Sequence, residues 1–219
     1  MRTIRITGTS HLKVEPDLTI ISLSKEDTFL DYDDAMKNSA KTTEKLKDLF
    51  AELGFQRSEL KTLYFNIDTK YETYKVKEVY KQKFCGYNYN LRMKIEFASD
   101  NELLGKILYK LANCPLNPEF HISFTVKDTE SAKSKLLAMA IADAKEKALI
   151  MSNAAGVELK EIQSIDYSWG QINFEVQQLH RSNFRDDDCG IRYKRAYTIE
   201  LDPDYIDVSD TVTVIWEIN

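Results

Sequence analysis

The sequence predicts an α+β fold, with two fused β-α-β-β halves that form an antiparallel or mixed sheet and pack their helices on one face. Segments rich in β-branched and aromatic residues alternate with amphipathic helical segments. Two of the predicted helices end at a glycine and lead into a strand through a similar short connection. The composition, with 43% hydrophobic and 30% charged residues, is typical of a globular protein.

The first elements are two strands and a helix. Residues 3–7 and 12–24 alternate between polar and apolar side chains, and Gly8-Thr9-Ser10 is expected to join them. Apolar residues then recur at steps of three and four over residues 35–53, and Gly54 ends that helix. One face of the helix is therefore expected to pack into a core.

Two long strands follow the first helix, over residues 60–75 and 84–97. The segment between them has no Gly, Pro or Asn to mark a turn, so the position of the turn stays open. Asp100 is expected to begin a short helix over 101–112. Pro115 and Pro118 prevent the helix from continuing further.

A strand over 121–127 leads into the longest helix, which Asp128 or Thr129 caps and Gly156 ends. The alanines at 140, 144 and 148 share one helix face, and small side chains allow close contact with a sheet, so burial is expected for all three. The remaining predicted elements are strands over 162–169, 192–201 and 208–218 and a loop over 170–190.

The chain contains a candidate internal repeat. The pattern G-[FV]-x-x-x-E-[LI]-x-[ST]-[LI] begins at Gly54 and again at Gly156. It predicts one domain over 1–219 with a pseudo-repeat of about 12–97 and 118–201, in which Leu60 and Leu63 correspond to Ile162 and Ile165 on buried faces. Convergence of two ordinary helix-to-strand connections is the alternative.

The ends and the cysteines suggest a location. The chain opens with a strand pattern rather than a signal peptide, and its apolar runs are too short to span a membrane. Cys85, Cys114 and Cys189 form no C-x-x-C pair, which argues against disulfides and zinc. We therefore expect a cytoplasmic protein. No nucleotide, zinc-protease or serine-hydrolase motif is present, so no catalytic residue, metal site or cofactor is predicted.

Four segments follow one another in a recognisable order. They are Ile4-Arg5-Ile6-Thr7-Gly8 with Val14-Glu15-Pro16-Asp17, Gly86-Tyr87-Asn88-Tyr89-Asn90-Leu91, Ser123-Phe124-Thr125-Val126-Lys127-Asp128, and the alanine-rich stretch 140–156. Together they resemble the SIMPL family, which is named for a signalling molecule associated with a pelle-like kinase and includes bacterial periplasmic and outer-membrane antigens. The resemblance implies an α+β fold, assembly into homo-oligomers, and roles in envelope integrity, stress tolerance or signalling. It supplies no catalytic residue.

Residues 70–94 combine lysines with aromatic residues. If this segment stays extended, residue numbering puts Lys75, Lys77, Lys81 and Lys83 on a basic face, opposite the aromatic residues. The candidate interface residues are Tyr71, Tyr74, Tyr80, Phe84, Tyr87 and Tyr89. Such a hairpin could bind single-stranded nucleic acid, or it could pack its aromatic face on a protein.

The formal net charge of −5 favours the protein interface over nucleic acid. We therefore expect a non-enzymatic scaffold or binding protein that forms a homo-oligomer or binds a protein partner. Nucleic acid is the less favoured partner. The alternatives are a single-stranded nucleic-acid-binding protein that uses residues 70–94, and an enzyme whose site the sequence does not reveal.

Overall fold

The structure, a computed structural model, describes residues 2–76, 79–167, 172–176 and 201–219. Within these residues seven strands and three helices form two sheets. This arrangement confirms the predicted α+β class. The chain divides into two compact units: unit 1 takes its described residues from the ranges 1–17, 124–180 and 203–219, and unit 2 from 18–123 and 181–202.

The seven strands and three helices range from 7 to 27 residues in length. The strands are β1 (Arg2–Val14), β2 (Leu18–Phe29), β3 (Lys61–Val76), β4 (Val79–Ala98), β5 (Glu119–Thr125), β6 (Leu159–Asp166) and β7 (Ile206–Ile218). The helices are α1 (Tyr32–Ala51), α2 (Asn101–Ala112) and α3 (Thr129–Ala155). The predicted span of α2 is confirmed, and the two long strands whose bounds the sequence left open end at Val76 and begin again at Val79.

Unit 2 has the element order β-α-β-β-α-β and the strand order β3-β4-β2-β5. That is the ferredoxin-like arrangement. One sheet face is covered: alternate residues of the central strand β4 are buried, namely Tyr89, Leu91, Met93, Ile95 and Phe97. The hydroxyl groups of Tyr89 and Thr42 of α1 lie 3.1 Å apart in a hydrogen bond, which shows that this face is turned towards α1.

The helix ends follow local chemistry. The Asp100 carboxylate accepts hydrogen bonds from the backbone N–H groups of Glu102 and Leu103, and Asp128 accepts one from Ser131. Gly156 ends α3 with a φ of 68°, in the left-handed region that favours glycine. The predicted start and end of α3 are therefore confirmed.

Unit 1 has the strand order β1-β7-β6, and β1 pairs with β7 over all 13 residues. The predicted turn at Gly8 is wrong, because Gly8 lies inside β1. A Cβ atom at Gly8 would lie 2.0 Å from the backbone oxygen of Ala140, so glycine allows α3 to approach the strand. Ala140, Ala144 and Ala148 are buried, as predicted.

The two units share an arrangement. In unit 1 the elements β1, α3, β6 and β7 give the strand order β1-β7-β6, and in unit 2 the elements β2, α1, β3 and β4 give β2-β4-β3. The predicted second half of the repeat begins near residue 118, at β5. The matching arrangement in unit 1 begins instead with β1, the first strand of the chain. The repeat over 12–97 and 118–201 stays a prediction.

The burial expected from the repeat is wrong at three of its four positions. Leu60 is buried, but Leu63, Ile162 and Ile165 are exposed by 55%, 49% and 48%. Both β3 and β6 are edge strands, and the register shift between Thr62 and Tyr64 leaves Leu63 outside the regular pairing. Edge strands extend past the helix that covers the sheet centre, so their apolar side chains keep contact with water.

Two predictions fall largely or wholly outside the described residues. They are the loop over 170–190, apart from residues 172–176, and almost all of the strand over 192–201. Within 172–176, Glu175 forms an antiparallel bridge with Thr125.

Candidate functional site

A two-stranded arm extends from the sheet of unit 2. The last residue of β2, Phe29, pairs with Tyr87 of β4. Beyond that point β3 and β4 pair with each other from Lys70 and Gly86 to Val76 and Val79. We call residues 70–76 and 79–86 the arm. It contains most of the candidate interface and basic residues.

A β-bulge at the base of the arm decides which side each residue occupies. Lys70 pairs with Gly86 and Tyr71 with Phe84, so Cys85 is the extra residue. We call the sheet face that carries buried Tyr89 and contacts α1 the helix side, and the opposite face the open side. Unbroken alternation from Tyr89 would put Phe84 on the open side. The extra residue in the bulge shifts the alternation by one, so Phe84 lies on the helix side.

An aromatic row on the helix side connects the arm to the start of α1. It consists of Tyr32, Tyr87, Phe84 and Tyr71. Neighbouring rings meet edge to face with centroids 5.5, 5.4 and 5.7 Å apart in that order, a favourable aromatic geometry. Tyr71 and Phe84 remain 52% and 41% exposed, so the row offers apolar surface to a partner.

The predicted separation of a basic face from an aromatic face is wrong. Lys75 lies opposite Tyr80, and Tyr74 lies opposite Lys81. Cross-strand partners share a face, so each side of the arm carries both residue types. Two residues separate Val76 from Val79, and odd-numbered positions on β3 therefore share a side with even-numbered positions on this part of β4. Residue numbering alone could not sort the side chains across such a connection.

The structure sorts the predicted residues as follows. The helix side carries Tyr71, Lys75, Tyr80, Phe84 and Tyr87, the open side carries Tyr74, Lys81 and Lys83, and Lys77 lies outside the described residues. Tyr89 is fully buried and cannot contribute to a surface interface. Burial raises the pKa of its phenol above the ordinary value. Alternation with its buried neighbours Leu91 and Met93 was the sequence signal for this position.

Several open-side residues were not among the predicted site residues. Tyr64 lies opposite Arg92, whose guanidinium carbon is 5.8 Å from the centre of the tyrosine ring, within cation–π distance. Lys61 lies opposite Lys94 at the far end of the same two strands. From Asn88 to Glu96, the open-side residues of β4 alternate with buried ones, so the period-two pattern of residues 88–97 could have identified them.

Unit 1 contains a shallow cleft of about 310 Å³ beside the free edge of β1. Arg5, Ile6 and Thr7 of β1 and Lys147, Ile150 and Met151 of α3 line it. Its two cations are already paired: Arg5 lies 3.3 Å from Asp166, and Lys147 lies 2.7 Å from Asp143. The cleft therefore offers apolar surface and little free charge.

The pKa shift of one acidic group marks a structural contact in the same unit. Asp143 accepts hydrogen bonds from Lys147 and from the backbone N–H of Thr9, at 2.7 Å each. Chiefly through the lysine, these contacts hold its pKa below the ordinary value. The contact satisfies an N–H of β1, an edge strand of the sheet that the described residues form, and connects α3 to that strand.

Acidic, histidine and cysteine side chains do not gather into a group of three suited to a metal ion anywhere in the described residues. The described helices also include none that is both long and apolar enough to cross a membrane.

Comparison with known proteins places the chain in a family. A search of curated proteins finds no significant match. The model of the SIMPL family, described as a protein of unknown function (DUF541), matches residues 4–216. That match covers nearly the whole sequence, including the paired strands β1 and β7, both units and the arm. The chain belongs to the SIMPL family.

Proposed function

We propose that this protein is a non-enzymatic scaffold or binding protein that self-associates through the helix side of its arm. The observation that carries the proposal is the aromatic row, in which Tyr71 and Phe84 stay about half exposed although they contact each other. Partly exposed aromatic side chains at the centre of a surface are the residues that contribute most to protein association.

The two sides of the arm differ in their suitability for contact with a second copy. Within the described residues of the arm, the helix side carries one charged residue, Lys75, which lies 5.9 Å from the ring centre of the aromatic residue Tyr80. The open side of the arm carries Lys70, Lys81 and Lys83 and one acidic residue, Glu72. Two helix sides can therefore meet with little repulsion, whereas two open sides would bring lysines together. An isologous dimer through the helix side follows from this difference.

The test is the association state of paired arm variants. Sedimentation velocity over a concentration series should show self-association of the wild-type chain. Tyr71→Ala combined with Phe84→Ala should weaken it about tenfold or more, because two desolvated aromatic anchors are removed. Far-UV circular dichroism and thermal unfolding of each variant confirm that it is folded.

Tyr74→Ala is the matched control, because it removes an aromatic side chain of similar exposure from the other side of the same arm. It should leave the association constant unchanged. A wild-type chain that stays monomeric at the highest concentration reached refutes the proposal. Equal weakening by Tyr74→Ala and by the Tyr71/Phe84 pair also refutes the assignment to the helix side.

A further inference from the structure

The open side of β3 and β4 forms one continuous surface from the sheet to the arm. Cross-strand partners identify its side chains, because directly opposite residues share a face. Along β3 they are Lys61, Tyr64, Asn66, Asp68, Lys70, Glu72 and Tyr74, and along β4 they are Lys81, Lys83, Asn88, Asn90, Arg92, Lys94 and Glu96. At the rise of an extended chain, the surface is about 40 Å long.

Cations outnumber carboxylates on this surface. Its cations are Lys61, Lys70, Lys81, Lys83, Arg92 and Lys94, and its carboxylates are Asp68, Glu72 and Glu96, with Glu26 of β2 beside it opposite Asn90. Lys94 pairs with Glu96 at 2.6 Å, and the other five cations form no ion pair within the described part of the chain. The overall charge of −5 therefore coexists with a local positive stripe.

Aromatic and amide side chains lie between the cations. Tyr64 and Tyr74 are 47% and 45% exposed, and the Arg92 guanidinium lies over one face of the Tyr64 ring. Asn66 lies opposite Asn90, and both side-chain amides donate to carboxylates, Asn66 to Asp68 and Asn90 to Glu26 of β2. The Asn90 side-chain oxygen is buried without a hydrogen-bond partner in the described residues. Asparagine is unfavourable in strands, so two facing asparagines in a sheet contribute little to its stability.

We propose that this open side binds single-stranded nucleic acid. The five unpaired cations neutralise successive phosphates along the stripe, because their spacing follows the extended chain. Tyr64 and Tyr74 stack bases. An open antiparallel sheet with helices on its other face uses the same geometry when it binds RNA through stacked bases.

This proposal uses the opposite face from the one proposed for self-association. Lys75 and Tyr80 lie on the helix side, and Tyr74, Lys81 and Lys83 lie on the open side. The two proposals can therefore fail independently, since each has variants confined to its own side.

The probe is a fluorescein-labelled single-stranded oligonucleotide of mixed sequence, as DNA and as RNA, followed by fluorescence anisotropy. The wild-type chain should bind at low salt, with an affinity that falls as salt rises. Replacing Lys70, Lys81 and Lys83 by Gln should weaken binding about tenfold or more and reduce the salt slope by about 2. Tyr64→Ala should weaken it about 5- to 150-fold, while Tyr64→Phe, which retains the ring, keeps the affinity.

Lys75→Gln is the matched control, because it removes the same charge from the other side of the arm and should leave the affinity unchanged. Absence of oligonucleotide binding at low salt by the folded wild-type chain overturns the proposal. Equal loss with Lys75→Gln overturns the assignment to the open side. If heparin binds as tightly as the oligonucleotide and Tyr64→Ala changes neither, the surface is a general polyanion site and the nucleic-acid assignment is wrong.

Discussion

Gly8→Ala tests how closely α3 lies on the sheet of unit 1. The added Cβ would lie 2.0 Å from the Ala140 oxygen, 2.6 Å from the Ala144 nitrogen and 2.7 Å from the Ala144 Cβ. None of these atoms belongs to the flexible end of a side chain, so the helix itself must shift. Overpacking of a core costs about 1–3 kcal/mol, and the backbone contacts place this substitution near 3 kcal/mol.

The measurement is urea unfolding followed by the fluorescence of Trp216, which is buried in the cluster that contains Ala140 and Ala144. A Trp169→Phe background makes Trp216 the only tryptophan, because the sequence has two. A loss of about 3 kcal/mol lowers the urea midpoint by about 1.5 M for a slope near 2 kcal/mol per M.

The matched control for Gly8→Ala is Gly105→Ala in α2, where a Cβ would have no atom within 4 Å. Alanine in a helix is more favourable than glycine by about 0.5–1 kcal/mol, so this variant should not lose stability. If Gly8→Ala changes the free energy of unfolding by less than about 0.5 kcal/mol, α3 does not lie against β1 as described, and the reasoning fails.

Three further predictions concern stability. Ala144→Leu should destabilise by roughly 1–3 kcal/mol in urea unfolding, whereas Ala142→Leu on the exposed side of α3 should be nearly neutral; equal effects would contradict the described helix orientation. Leu60→Ala should cost about 2–5 kcal/mol and Ile162→Ala much less, because Leu60 is buried and Ile162 is half exposed; the reverse order would contradict the edge position of β6. Asp143→Asn should destabilise the protein at neutral pH. Hydrogen bonds lower the folded pKa of this carboxyl, so the difference in the free energy of unfolding between variant and wild type should shrink as pH falls below about 4. A constant difference in a pH series of unfolding curves would refute the pKa assignment.

Local signals in the sequence located most helices and strands. Gly156 and Asp100 marked helix ends because a left-handed backbone and an N-cap carboxylate each require particular residue types. The turn predicted at Gly8 was wrong because glycine occurs both in turns and where a helix contacts a strand closely. The residue that Gly8 contacts, Ala140, is more than a hundred residues away in the sequence. The pairing of β1 with β7 is equally non-local.

The sequence predicted the two strands that form the arm, but it sorted their side chains incorrectly between the two faces. The side on which Lys75 and Lys81 lie depends on the number of residues that join β3 to β4, and the sequence carries no turn signal there. The bulge at Cys85 adds a second change of phase. Period-two reasoning holds within one uninterrupted strand, where it could have identified buried Tyr89 and exposed Arg92.

The pairing of β1 with β7 also sets the order in which the units can form during translation. Unit 2's helices and strands occupy one stretch of chain from Leu18 onward, so they can assemble as soon as that stretch leaves the ribosome. The sheet of unit 1 must wait for Ile206–Ile218, about eighty residues later. β1 ends at Val14 and β7 begins at Ile206, so at 5–20 residues per second β1 stays without its partner for roughly 10–40 s. During that interval the alternating apolar face of β1 is exposed to chaperones and to other nascent chains.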